Sequence, residues 1–213
     1  GSGATALDRV SSIVTTTGTS VTCTVSGTVQ YVNIEINTND SSVTYPTSWM
    51  KTLGSIVTRN ADVPSLTGAS ALLGQSEGGV FIEAAAASAN LGGSIEVNTS
   101  VLGNEIRLFF NDINTNIVLQ NINGGSVDVN SSIGSYTPNV FVKAIFAYNI
   151  NDYSGCVNGG SITTDTSGVP PVGLSQVNFS RPNGTGVFYG RVRQFIVFNQ
   201  KPTDAQLQLI TTP

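Results

Sequence analysis

Apolar and polar residues alternate along most of this chain with a period of two. In "QYVNIEIN" (30–37), Tyr31, Asn33, Glu35 and Asn37 fall on one side and Val32, Ile34 and Ile36 on the other. Such alternation describes a strand with one dry and one wet face. "VSSIVTTT" (10–17), "SVTCTVSG" (20–27) and "TVQYVNIEIN" (28–37) form a first group of strands, closed by "NTNDSS". A second group starts after residue 66: 78–88, 94–100, 104–112, 115–122, 125–130, 139–149, 154–162, 175–180 and 187–199. Asn123-Gly124-Gly125, Asn158-Gly159-Gly160 and Asn183-Gly184 mark turns between them. The run "AAAAS" continues Val80-Phe81-Ile82 and is bounded by glycine, so it is placed in a strand. Only 201–210 reads as helix, with Thr203 as N-cap and Gln206 as its capping-box partner. This spacing predicts an all-β protein built on an antiparallel β-sandwich, with one short C-terminal helix.

Composition narrows the chemistry. Charged residues make up 10% of the chain, far below the usual ~25%. The net charge is -4, and no basic patch appears to supply the electrostatic term of nucleic-acid binding. There is no histidine, which removes the usual general base, the commonest zinc ligand and the near-neutral proton switch. Cys23 and Cys156 are too few for a metal cluster and read as two separate thiols. No apolar run approaches the ~18 residues that span a bilayer, so no membrane insertion is expected. No cofactor is implied.

Residues 139–210 carry a resemblance. A long strand ends in Tyr148, then come Asn158-Gly159-Gly160, Asp165-Thr166-Ser167-Gly168, a Gly-rich hairpin, "GRVRQFIVFN" and "PTDAQLQLI". This order resembles the C-terminal half of concanavalin A-like (laminin-G-like) jelly rolls in bacteriophage tail fibres, tailspikes and other virion proteins. Upstream, a strand with Glu35, the turn Thr47-Ser48-Trp49 and Thr58-Arg59-Asn60-Ala61-Asp62 resemble the chain that precedes such domains. The resemblance implies three parts: a β segment over 1–45 that ends a preceding module, a connector over 46–65, and a jelly roll over 66–213. In the connector, Trp49 would wedge into the junction, and Arg59 and Asp62 would fix the chain path.

It also implies a virion location and a non-catalytic role in binding a bacterial surface glycan. The alternative is a purely structural virion domain, with other virion subunits or copies of itself as partners, including a homotrimer. Sugar binding needs a ring face and nearby planar amides or carboxylates. "YNINDYSG" supplies Tyr148, Asn149, Asn151, Asp152 and Tyr153 around a predicted turn, and Arg181, Asn183 and Tyr189 follow in and after the next hairpin. The plainer reading puts Tyr148 in the core and leaves Asn151 and Asp152 to shape the turn.

Other chemistries fit less well. Retaining glycosidases of this fold class carry Glu-x-Asp-x-Glu on one strand, and no such run exists here. Glu83, Glu96 and Glu105 stand singly on three predicted strands. They could converge by cross-strand pairing, but solvent-facing positions are the simpler expectation. Asp112, Asn114 and Asn116 repeat the start of a calcium loop, which then fails at Ile117 and Asn123, so a hairpin turn is expected and no metal site. Gly184, Gly186 and Gly190 lead into a strand rather than a helix, which rules against a phosphate loop.

Overall fold

The computed structural model describes residues 64–87 and 93–213, together with Thr22, Thr24 and Ser26. The chain divides into two compact units, Gly1–Ala61 and Asp62–Pro213. Cys23, Trp49, Arg59 and Asp62 lie outside the described residues, as do the N-terminal strands expected before residue 45.

Eleven strands are described: β1 (Ser65–Leu66), β2 (Gly78–Ala86), β3 (Gly93–Asn98), β4 (Glu105–Phe110), β5 (Asn116–Asn123), β6 (Ser126–Ser135), β7 (Val142–Asn149), β8 (Asp152–Val157), β9 (Thr163–Asp165), β10 (Gln176–Asn178) and β11 (Gly190–Phe198). The helix α1 (Asp204–Thr211) follows. One sheet has the order β1-β10-β3-β4-β5-β6 and is called sheet A here; the other, sheet B, runs β11-β2-β7-β8-β9. All pairings are antiparallel. Two antiparallel sheets thus stack as the expected sandwich.

Period two builds the core. Val80, Ile82, Ala84 and Ala86 of β2 and Ala144, Phe146 and Tyr148 of β7 meet Ile95 and Val97 of β3 and Ile106, Leu108 and Phe110 of β4. Each large side chain here gains roughly 1.5–3 kcal/mol by leaving water. The two sheets approach closely where β6 meets β8. A bulge in the β5–β6 pairing leaves Ile133 without a partner in register, and Ile133 packs in the core. A Cβ on Gly155 of β8 would collide with that side chain, so only glycine fits there.

Strand β2 is dry on both faces, which explains why "VFIEAAAA" reads as a nearly unbroken apolar run. Its outward Phe81 joins Ile145, Ala147 and Cys156 in a second cluster, which Leu207 of α1 covers. The helix starts as expected. Thr203 donates its backbone N–H to Gln206 Oε1 at 2.8 Å and accepts from the Gln206 N–H at 3.4 Å. Cys156 is a buried thiol in contact with Thr211 Oγ1 at 3.3 Å.

The short strands β1 and β9 were not marked by any alternation long enough to detect. Ser65, assigned above to the connector, already pairs with Asn178 of β10.

Candidate functional site

The residues suggested by sequence fall into two places. Asn151 and Asp152 lie at the β7–β8 turn, on sheet B. Asn151 adopts a left-handed backbone (φ 53°) and donates its N–H to Gly168 O at 2.9 Å. Asp152 opens β8 and accepts from Lys201 Nζ at 2.6 Å, so its carboxylate is engaged. Because β8 begins at Asp152 and not Ser154, the strand period turns Tyr153 inward. Tyr153 is fully buried and offers no ring face to a sugar. Tyr148 is likewise core, its hydroxyl donating to Gly74 O at 2.7 Å.

Arg181 and Asn183 belong to the loop after β10, which lies along sheet A. Ser94 of β3 donates its N–H to Gly186 O of that loop at 3.0 Å. Asn183 Oδ1 accepts from the Thr185 N–H at 3.1 Å and from Thr185 Oγ1 at 2.7 Å, so it shapes the turn. Tyr189 is exposed just before β11. The structure therefore separates Asn151, Asp152 and Tyr153 from Arg181 and Asn183.

Arg181 leads to a group that sequence reading passed over. On the outer face of sheet A, strand pairing sets Asn178, Glu96, Arg107, Gln120 and Asn130 in one row across β10, β3, β4, β5 and β6. Hydrogen bonds link part of it: Arg107 Nε donates to Gln120 Oε1 at 2.8 Å, and Gln120 Nε2 to Asn130 Oδ1 at 2.8 Å. In the next row Asn98 stands opposite Glu105. Glu105 Oε2 accepts the Gly103 N–H at 2.7 Å, while Oε1 faces Arg181 Nη2 at 3.3 Å and Arg107 Nη1 at 3.7 Å. Asn98 Nδ2 donates to Glu96 Oε1 at 3.0 Å, and Ser94 Oγ lies 3.4 Å from Glu96 Oε2.

Glu96 and Glu105 are thus buried neighbours on one sheet face, not scattered solvent-facing groups as expected. The simpler expectation failed because the register that would bring the strands together is not written in any one of them. The period-two sets Ser94/Glu96/Asn98 and Glu105/Arg107 become adjacent only once the short β3–β4 connection pairs them. Glu83 is elsewhere, on sheet B, paired with Arg193 at 3.0 Å.

Burial governs the electrostatics of this face. It pushes the Glu96 carboxyl from its ordinary 4.5 up to about 8, and the charge of Glu105 pushes the same way, against Arg107, Arg181 and Asn98. At neutral pH Glu96 is therefore an uncharged acid. Burial also lowers Arg107 from its ordinary value, but a guanidinium stays charged. Two guanidinium groups, one carboxylate and one neutral carboxyl leave the cluster with a single net positive charge. Arg181 is its most accessible charged member, with 33% of its side chain exposed. Arg181 Nε and Asn178 Oδ1 are buried without hydrogen-bond partners. The cluster can hold one guanidinium rigidly and offer it to an anionic or hydroxyl-rich partner.

The calcium-like stretch is a turn between β4 and β5. Asn111 Oδ1 accepts the Ile113 N–H at 2.9 Å, and Asn114 Oδ1 the Asn116 N–H at 3.1 Å. Among the described residues no group of three or more acidic or cysteine side chains is placed to hold a metal. A groove of about 520 Å³ lies on the sheet B side, between α1 and the end of β11, with chiefly apolar walls that include Ile145, Phe198 and Leu209.

Fold and face together define a jelly-roll-like β-sandwich with a charged, buried polar row on one outer face. No protein-family profile matches the chain, and no curated protein does. Solved structures do. The NanB sialidase of Streptococcus pneumoniae aligns with a TM-score of 0.57 at 16% identity, over 70% of this chain and 27% of the sialidase. The chain thus spans about a quarter of that protein. The CBM40 domain of Ruminococcus gnavus IT-sialidase aligns with a TM-score of 0.54 at 16% identity, over 65% of this chain and 84% of the domain. The same domain bound to α2,6-sialyllactose aligns with a TM-score of 0.51 at 17% identity, over 68% and 91%. At these identities the likeness is one of fold.

Proposed function

We propose that the sandwich is a glycan-binding domain that takes a carboxylate-bearing sugar on the outer face of sheet A. The observation that carries this reading is the convergence of Arg181 and Arg107 on Glu105, with one net positive charge left over. Glu105 and Arg107 are held by backbone and side-chain bonds, so Arg181 is oriented before any ligand arrives, which lowers the ordering cost of binding. A sugar carboxylate suits a guanidinium as a two-point acceptor. The similar CBM40 domain is described bound to α2,6-sialyllactose, whose sialic acid is such a sugar. Binding here differs from the aromatic stacking expected from sequence: Tyr148 and Tyr153 are core, and charge does the selecting.

The setting in a phage virion appendage that contacts a bacterial surface glycan rests on the strand and turn signatures of residues 139–210. The alternative, a virion domain that only packs against other subunits, predicts no response to sugars. Isothermal titration with 6′-sialyllactose and with lactose separates the two. The reading expects saturable binding of the first and none of the second. Equal response to both, or to neither, contradicts it.

A further inference from the structure

We infer that Glu96 sets the charge of this face: while its carboxyl keeps a proton the face holds an anionic sugar, and when the proton leaves, the face turns neutral and lets the sugar go. The inference deepens the glycan reading and rests on it for the ligand.

Geometry makes Glu96 the residue in that position. It sits in the row between Asn178 and Arg107 and diagonal to Glu105, with no water-facing side. Among the described residues, the charged groups that act on it belong to the same cluster: Glu105 and Arg107 from β4, and Arg181 from the loop after β10. Its own strand supplies Ser94 and Asn98, and β10 supplies Asn178. The guanidinium groups stay charged throughout the accessible pH range. Glu105 is held by its ion pairs with Arg181 and Arg107. Glu96 is then the member whose charge changes near neutrality, with a midpoint of about 8.

The two carboxyl groups compete for the same two arginines. With Glu96 neutral, Glu105 engages Arg181 and positive charge remains for a ligand. With Glu96 ionised, two carboxylates balance two guanidinium groups, and an incoming carboxylate meets a neutral, partly desolvated site with one more negative charge close by. One added charge at a partly screened site corresponds to about a tenfold loss of affinity. The ligand is anionic across the whole range, so its own titration does not intervene.

The test measures 6′-sialyllactose affinity between pH 6.5 and 9.5 for the unaltered chain and for Glu96→Gln, alongside a carbon-13 NMR titration of the Glu96 carboxyl. The inference expects about tenfold weaker binding at pH 9.5 than at 6.5, a flat profile for Glu96→Gln whatever its absolute affinity, and a carboxyl midpoint near 8. Binding by the unaltered chain that stays constant to pH 9.5 overturns the role of Glu96 and leaves the glycan reading standing. Absence of binding at every pH overturns the glycan reading. In that case a carboxyl midpoint below 6 overturns the charge assignment as well, and one near 8 upholds it.

Discussion

Arg181 Nη2 meets Glu105 Oε1 at 3.3 Å across 76 residues of sequence. This contact ties the loop after β10 to the middle of sheet A, and it has a measurable cost. Removing Arg181 leaves buried Glu105 with the Gly103 N–H and, among the described cations, the longer contact to Arg107. Loss of a fully buried partner can cost 3–5 kcal/mol, but Arg181 is one-third exposed and Arg107 remains, so Arg181→Ala should cost about 1–2 kcal/mol. Urea unfolding gives this value directly. The same variant should lose sialyllactose binding while keeping its β-rich circular dichroism spectrum.

Stability should fall as pH rises through neutrality. Folded Glu96 keeps its proton to about pH 8, whereas the unfolded carboxyl loses it near its ordinary 4.5. Between these values the folded chain binds more protons, so the slope of stability against pH is negative, at most about 1.4 kcal/mol per pH unit. Above pH 8 this contribution levels off. Thermal unfolding at pH 5, 6.5 and 8 should show a decline for the unaltered chain that Glu96→Gln largely removes. Parallel declines in both would locate the effect elsewhere.

The β6–β8 contact should tolerate no side chain at residue 155. Gly155→Ala drives a methyl group into Ile133 and should cost about 1–3 kcal/mol by overpacking. Denaturant unfolding of the double variant Gly155→Ala/Ile133→Ala should show a loss smaller than the sum of the two single variants, because alanine at 133 lacks the Cγ2 that the new methyl group meets.

Helix α1 acts as a cover for the outer face of sheet B. Thr203→Ala removes one half of the capping box and should cost about 1 kcal/mol. The effect should be local. Hydrogen exchange should quicken in 204–211, and Cys156, buried beneath the helix, should react faster with a thiol reagent as judged by peptide mass spectrometry. Strands β3 to β5 should keep their protection.

Sequence alone revealed the sandwich well and the site poorly, for different reasons. Inward alternation and Asn-Gly turns are local signals, so the positions of β2 to β5 and β7, the Thr203–Gln206 cap and the core place of Tyr148 followed from them, whereas β6 runs on to Ser135 and β8 covers Asp152–Val157 rather than 154–162. The two-residue β1 and three-residue β9 carry too few residues for a period to register. The row from Asn178 to Asn130 is built from five strands, and its members come together only through register. Arg181 carries a sugar-contact signal of its own in the sequence, whereas its partner Glu105, alone on its strand, looks like a surface residue. Tyr153 was displaced by two residues of strand boundary, enough to move a ring from a turn to the core.

The central claim is that sugar is recognised on the outer face of sheet A. Nitrogen-15 NMR spectra of the assigned chain, titrated with 6′-sialyllactose at pH 6.5, test it most directly. The account predicts saturable shifts concentrated at 94–98, 105–107 and 178–186, absent with lactose. Shifts confined to the 150–153 turn, or none at all, would contradict it.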